Sequence, residues 1–318
     1  MSQHPIQPDT AALLKNLAAQ GGPKLSEMPV LEARAAVRAL TQYCDLPCPT
    51  PCVTRDLATS GERPVPVRLY SPRTDTTGPV IVFVHGGGFV LGDPDAYDAF
   101  TRYLSVRTGL RVVSVNYRLA PELPFPAAFD DVNRTISWVL ANPMELGGCA
   151  DAVALAGDSA GAALSACCSA ESQSSIRALL MLYPVADLAA RSASYSSFRE
   201  GYLLEAADME YFIRSYTPDE RDRRDPRASP AMIADLSQFP PTTVLTCGLD
   251  VLRDEGRAFA SRLVAAGIET HYREAHGQIH GIATLRGAIP SARAVLDDVI
   301  DNFSRQITRS CISNTAEP

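Results

Sequence analysis

The chain has 318 residues, 46% hydrophobic and 20% charged, the balance of a globular protein that buries a sizeable core, which excludes disorder over most of its length. A formal net charge of −7 argues against nucleic-acid or anionic-membrane partners, because the average field repels both. Arg221, Arg223 and Arg224 are interleaved with Asp219, Glu220, Asp222 and Asp225, so they read as a solvated mixed-charge loop.

The opening residues, MSQHPIQPDT, lack the basic start and apolar run of a secretory signal, and no later stretch is long and apolar enough to span a bilayer. The cytoplasm is therefore the expected compartment, and the cysteines Cys44, Cys48, Cys52, Cys149, Cys167, Cys168, Cys247 and Cys311 are expected as free thiols. Cys44, Cys48 and Cys52 are evenly spaced, as metal ligands can be. Pro47, Pro49 and Pro51 break any helix that would align them, however, and no histidine lies nearby. With no GxGxxG after the first strand either, neither a metal nor a cofactor is expected.

Two helices are predicted first, Asp9–Gln20 and Pro29–Gln42, separated by Gly21, Gly22 and Pro23, with Ser26 ahead of Pro29 as a start signal. Short β-branched runs follow at Val65–Tyr70, Val80–Val84, Val112–Val115, Val153–Ala156, Ala178–Leu182 and Thr243–Cys247, alternating with helix-like stretches. Runs such as Val80–Val84 and Ala178–Leu182 are apolar at every residue, as strands covered on both faces must be. The rhythm predicts an α/β protein built on a mostly parallel sheet. Between Asp187 and Pro230 the pattern loosens into Ser-rich and Arg/Asp-rich stretches with a helical piece at Ala206–Tyr216, which reads as an insertion above the sheet.

The chemistry centres on Gly157-Asp158-Ser159-Ala160-Gly161, which places a serine between two glycines after a buried strand and before an Ala-rich helix. Only small residues fit so tight a turn, and it projects the hydroxyl where a helix N-terminus favours developing negative charge. His85-Gly86-Gly87-Gly88-Phe89 follows the Val80–Val84 strand. Three glycines in a row are costly unless the backbone must aim its amides at one point, here the oxyanion of a tetrahedral intermediate. Gly86, Gly87 and Ala160 are the expected donors, and His85 is expected to hydrogen-bond the loop rather than move a proton. The serine needs a base and the base a carboxylate, in the chain order Ser, Asp, His. After Ser159 the histidines are His271, in the strand-like run Glu269–Arg273, then His276 and His280 in the loop beyond it. His280 is preferred because His-Gly opens the next apolar segment. Asp250 is the first acid after Thr243–Cys247, whereas Asp254 and Glu255 fall in the next helix and are expected only to brace the loop.

These segments, with Tyr117-Arg-Leu-Ala-Pro-Glu122, Pro124–Phe129, Asp250–Gly256 and His280-Gly281, resemble the hormone-sensitive-lipase-like bacterial esterases of the α/β hydrolases over nearly the whole chain. The resemblance implies an eight-stranded sheet flanked by helices, with 51–186 and 229–310 as the catalytic domain. Residues 1–50 and about 187–228 would form a helical cap. It supports Ser159 as nucleophile, His280 as base, Asp250 as its orienting carboxylate, and the oxyanion donors above. Val251, where proline is usual, and Ile282, where phenylalanine commonly follows His-Gly, depart from the pattern and bear on pocket shape. In the Tyr117–Glu122 stretch, Arg118 and Glu122 are expected to tie a crossing loop to the core. The expected activity is hydrolysis of small-molecule esters with acyl chains of about two to eight carbons, given a pocket of ordinary size. A specialised deacylase, lactonase or acyltransferase on the same residues, or a non-catalytic receptor, stays open at this point. So does a homodimer.

Overall fold

The computed structural model describes residues 5–47, 52–74, 76, 78–146, 152–172 and 176–314. The N-terminal segment forms α1 (Pro8–Gln20) and α2 (Val30–Cys44), followed by β1 (Val53–Ala58), β2 (Pro66–Ser71) and β3 (Val80–Val84). Next come α3 (Asp98–Thr108), β4 (Arg111–Val115), α4 (Ala127–Ala141), β5 (Val153–Asp158), α5 (Ala160–Glu171) and β6 (Ile176–Leu182). The insertion holds α6 (Ala193–Ser197) and α7 (Ala206–Tyr216), and the chain closes with β7 (Thr242–Leu249), α8 (Arg253–Ala265), β8 (Thr270–Ile279) and α9 (Arg293–Asn314).

The strands make one eight-stranded sheet in the order β1-β2-β4-β3-β5-β6-β7-β8. β2 is antiparallel to β1 and β4, and every pair from β4 to β8 is parallel. This is the architecture the sequence implied. β3, β4, β5 and β7 are buried at every residue, which is why their sequences carry no alternation. Helices cover both faces. α5 is buried at Ala160 through Ser169; its small residues let it lie close against β5 and β6. α3 packs on α9, held by Arg107 to Asp301 at 2.6 Å.

The structure corrects several boundaries and one omission. β1 (Val-Thr-Arg-Asp-Leu-Ala) was not predicted: it is an edge strand exposed at nearly every position, so no buried face imposes a pattern. β8 runs on to Ile279, so His276, expected in the loop beyond the strand, lies within it. Ser26 does not start α2; it lies in a short 3₁₀ turn and donates its amide to Asp208 Oδ1 at 3.1 Å. α1 is fastened to the far end of the sheet, with the Thr10 hydroxyl donating to Gln278 Oε1 at 2.6 Å and Asp9 accepting from Ser291.

Among the described residues no helix is long and apolar enough to cross a membrane, and no group of three or more His, Cys, Asp or Glu side chains is placed to hold a metal ion. Cys44, Cys167, Cys168 and Cys247 are free thiols. Cys48, the middle of the evenly spaced trio, and Cys149 lie outside the described residues.

Candidate active site

The site sits at the carboxyl ends of the central parallel strands, where loops leaving β3, β5, β7 and β8 converge. Ser159 occupies the turn between β5 and α5 with φ +52° and ψ −119°, a conformation that non-glycine residues rarely adopt. Its amide donates to Leu182 O at 2.8 Å and its carbonyl accepts from Val185 at 3.2 Å, which holds the turn. The flanking glycines are sterically required. A Cβ at Gly157 would collide with the Gly161 carbonyl, and one at Gly161 with the carbonyls of Val84 and His85.

The structure brings Ser159, His280 and Asp250 into one hydrogen-bonded line. His280 Nε2 lies 2.9 Å from Ser159 Oγ, and His280 Nδ1 lies 2.7 Å from Asp250 Oδ2. A carboxylate only accepts, so Nδ1 carries the proton and Nε2 is left to accept from the serine hydroxyl. Asp250 is 2% exposed and its other oxygen takes the Leu252 amide at 2.9 Å, which fixes the carboxylate. The Tyr183 ring meets His280 edge-on at 4.7 Å and limits its rotation. His276, by contrast, is on the exposed side of β8, its Nδ1 3.3 Å from Glu274 Oε1. Glu255 braces a loop, as expected of it, but a different one. Its Oε1 accepts the amides of Ala186 at 2.8 Å and Asp187 at 3.3 Å, beyond β6.

The glycine loop requires a correction. The Gly86 amide, expected to face the oxyanion, donates to Asp158 Oδ1 at 2.7 Å and is thereby occupied. Gly87 and Gly88 instead border the cavity beside Ser159, with φ of +115° and +62°. Neither amide donates to a protein acceptor among the described residues. Nothing in a run of three glycines distinguishes the amide that is already bound. Asp158, which the sequence motif does not single out, also accepts from Tyr97 Oη at 3.0 Å and Tyr183 Oη at 3.4 Å. Desolvation pushes its carboxyl up to about 6, against the three hydrogen bonds and the nearby His280, which favour the charged form.

His85 holds the loop as expected. Its Nδ1 is 2.8 Å from Gly86 O, its ring stacks on Tyr117 at 4.3 Å, and burial lowers it to about 4, so the imidazole is neutral. Tyr117 Oη donates to His85 O at 2.8 Å. Arg118 pairs with buried Asp131 at 2.8 Å, tying the crossing loop to the core. Glu122 pairs instead with Arg34 of α2 at 2.7 Å, and Arg34 also donates to Val90 O and Ala120 O. The crossing loop is thus tied to the N-terminal helices as well.

Ser159 and His280 open onto a cavity of about 130 Å³. Its walls are apolar and come from both expected cap segments: Val37 and Leu40 of α2, Met209 and Phe212 of α7. A larger groove of about 780 Å³ lies between α2 and β2, away from these residues. Its arginines Arg34, Arg38 and Arg68 are each paired with a carboxylate, so it offers no comparable chemistry.

A mostly parallel sheet with this strand order, carrying a serine at a strand-to-helix turn with a histidine and an aspartate aligned behind it, defines an α/β hydrolase. Residues 81–284 match the family described as alpha/beta hydrolase fold, and the chain belongs to that family. It is 32% identical to the ethyl acetate hydrolase of Pseudomonas putida over 95% of this chain and 99% of that one. It is 35% identical to the carboxylic ester hydrolase LipN of Mycobacterium tuberculosis, over 88% and 77% of the two chains. Among solved structures, an ester hydrolase from the metagenome of Lake Arreo, complexed with a bipyridine phosphonate derivative, superposes with a TM-score of 0.90 at 33% identity, covering 95% of this chain and 99% of that one. The hyperthermophilic esterase of the archaeon Pyrobaculum calidifontis superposes at 0.88 with 32% identity, covering 95% and 98%.

Proposed function

We propose that this chain is a serine carboxylesterase that hydrolyses short-chain acyl esters through an acyl-enzyme on Ser159. The observation that carries the reading is the hydrogen-bonded line from Ser159 through His280 to Asp250, at the floor of a small apolar cavity. Ser159 Oγ attacks the ester carbonyl carbon while His280 Nε2 takes its proton, and Asp250 stabilises the imidazolium that results. The carbonyl oxygen becomes an oxyanion, which the amides of Gly87, Gly88 and Ala160 bind. Collapse of the tetrahedral intermediate breaks the bond to the alkoxy oxygen, which leaves as the alcohol with the proton from Nε2. Water, deprotonated by the same nitrogen, then releases the acid and restores Ser159.

Residues 1–50 and about 187–228 act as the cap. They close the site with Val37, Leu40, Met209 and Phe212, and a cavity of about 130 Å³ favours the short end of the two-to-eight-carbon range. Intact mass after reaction with a fluorophosphonate, followed by peptide mapping, tests the reading. One adduct on Ser159, absent in Ser159→Ala, together with turnover of 4-nitrophenyl acetate or butyrate, is the expected result. No adduct and no ester turnover by the folded wild-type protein overturns it.

A further inference from the structure

A second cavity, of about 440 Å³, opens on the outer side of the cap between α1, α2 and the insertion. It shares four wall residues with the cavity above Ser159: Leu25, Val37, Leu40 and Leu203. These four side chains form an apolar partition between the two spaces. Leu25 belongs to the 3₁₀ turn before α2, and Val37 and Leu40, three positions apart, share one face of α2. Leu203 comes from the insertion.

The backbone of Leu203 is unusual. Its φ is +72°, and the Leu204 amide donates across it to Tyr202 O at 3.0 Å, which makes a three-residue turn of the rarer, strained kind. Leucine has no intrinsic reason to occupy that conformation, where glycine or asparagine is ordinary. Its side chain is only partly buried, at the edge of the core and in the wall shared by the two cavities. Surrounding contacts impose it. Glu205 Oε1 accepts the Gly201 amide at 3.1 Å, and Glu205 pairs with Lys24 at 2.8 Å. Asp208 accepts the Glu205 amide at 3.2 Å and the Ser26 amide at 3.1 Å. The turn is thereby clamped to the segment that carries Leu25. A strained residue held by its neighbours at a cavity wall points to a role in the site.

We propose that Leu203 is a specificity-determining residue that sets the chain-length limit of the enzyme. With Leu25, Val37 and Leu40 it stops one arm of the ester at the inner cavity, and removing its side chain joins that cavity to the outer one. The proposal rests on the esterase reading above. Each methylene that gains a place in the joined space should raise kcat/KM about fourfold, the rate equivalent of burying one CH₂.

The test compares wild-type protein with Leu203→Gly, which suits the positive φ, and with Leu25→Ala, which opens the same partition from the other side. Two ester series are used: 4-nitrophenyl esters of growing acyl chain, and acetates of growing alkyl chain. In one series the ratio of kcat/KM for the eight-carbon ester to the two-carbon ester should rise about tenfold or more in both variants, and that series identifies the arm that passes. Unchanged ratios in both series, in variants with cooperative melting, overturn the proposal. If Leu203→Gly loses all turnover, Leu25→Ala decides alone. Absence of ester turnover in the wild-type protein would instead overturn the esterase reading.

Discussion

Asp158 accepts the amide of Gly86 at 2.7 Å, so the residue before the nucleophile fixes the first glycine of the loop that faces it. The same carboxylate lies within electrostatic reach of His280, where positive charge develops during proton transfer. It is held in a buried position that disfavours its charge, an arrangement that costs stability and serves the site.

The pH dependence follows from that burial. The Asp158 carboxyl is pushed from 3.8 up to about 6 in the folded protein. The folded state therefore binds the proton more tightly than the unfolded chain, so this group's stabilising contribution is complete below about pH 4 and is lost as pH rises through 6. Keeping it ionised at pH 7 costs up to about 3 kcal/mol. Asp158→Asn removes the titration but sets an amide nitrogen where an oxygen accepts from Gly86 or the tyrosines, so its stability relative to wild type should improve from pH 5 to pH 8 while kcat/KM falls about tenfold or more. Melting curves and ester kinetics at both pH values check this; a stability difference that does not change with pH, together with unchanged turnover, contradicts it.

His280→Ala should lower kcat by about a thousandfold or more, since it removes the group that accepts the Ser159 proton. His276→Ala should change kcat less than about twofold, because that side chain is exposed and faces Glu274. Steady-state kinetics of the two variants on 4-nitrophenyl butyrate decide the matter, and the reverse ranking would move the base to His276.

Gly87→Ala should reduce kcat by about a hundredfold or more, with a smaller change in KM. Gly87 sits at φ +115°, and an added Cβ would strike the Leu91 carbonyl, displacing an amide assigned to the oxyanion. Gly109→Ala is the matched control, at φ +69° with open space around it. It should cost about 1 kcal/mol of stability and leave kcat alone. Equal kcat values for both variants would remove the glycine loop from the mechanism.

Glu255 gives a separate pH signature. Burial pushes its carboxyl up to about 8 from 4.5, so it is largely neutral at pH 7. Its stabilising contribution is complete below 4.5 and is lost as pH rises through 8, with a slope of up to about 1.4 kcal/mol per pH unit in between. Glu255→Gln keeps the oxygen that accepts from Ala186 and Asp187 and cannot ionise. Relative to wild type, the variant should gain stability steadily from pH 5 to about pH 8 and level off above it. Parallel denaturation curves with a constant difference would rule out this assignment.

Much of the site was legible because its chemistry demands particular residues in a particular order. The glycines around Ser159, the acid after β7 and the His-Gly after β8 are local features, and the structure brings their side chains together. What was not legible depends on distant partners. Nothing local marks the Gly86 amide as bound, since its acceptor is 72 positions away. Glu122 finds Arg34 across 88 positions. The turn at Leu203 is hidden for a different reason: neither glycine nor asparagine stands where φ is positive, because tertiary contacts impose the conformation. β1 escaped because an exposed edge strand has no buried face to pattern its sequence.

The polarity that hides β1 also protects the enzyme when it is concentrated. Among the described residues β1 pairs only with β2, so its other edge is a template on which a foreign strand could grow. An approaching strand would meet Arg55 and Asp56 on a short ribbon exposed on both faces, with Asp56 already paired to Arg68. It would bury charge and find little apolar surface beyond Val53 and Leu57. Its charged side chains thereby guard this end of the sheet against aggregation by strand addition.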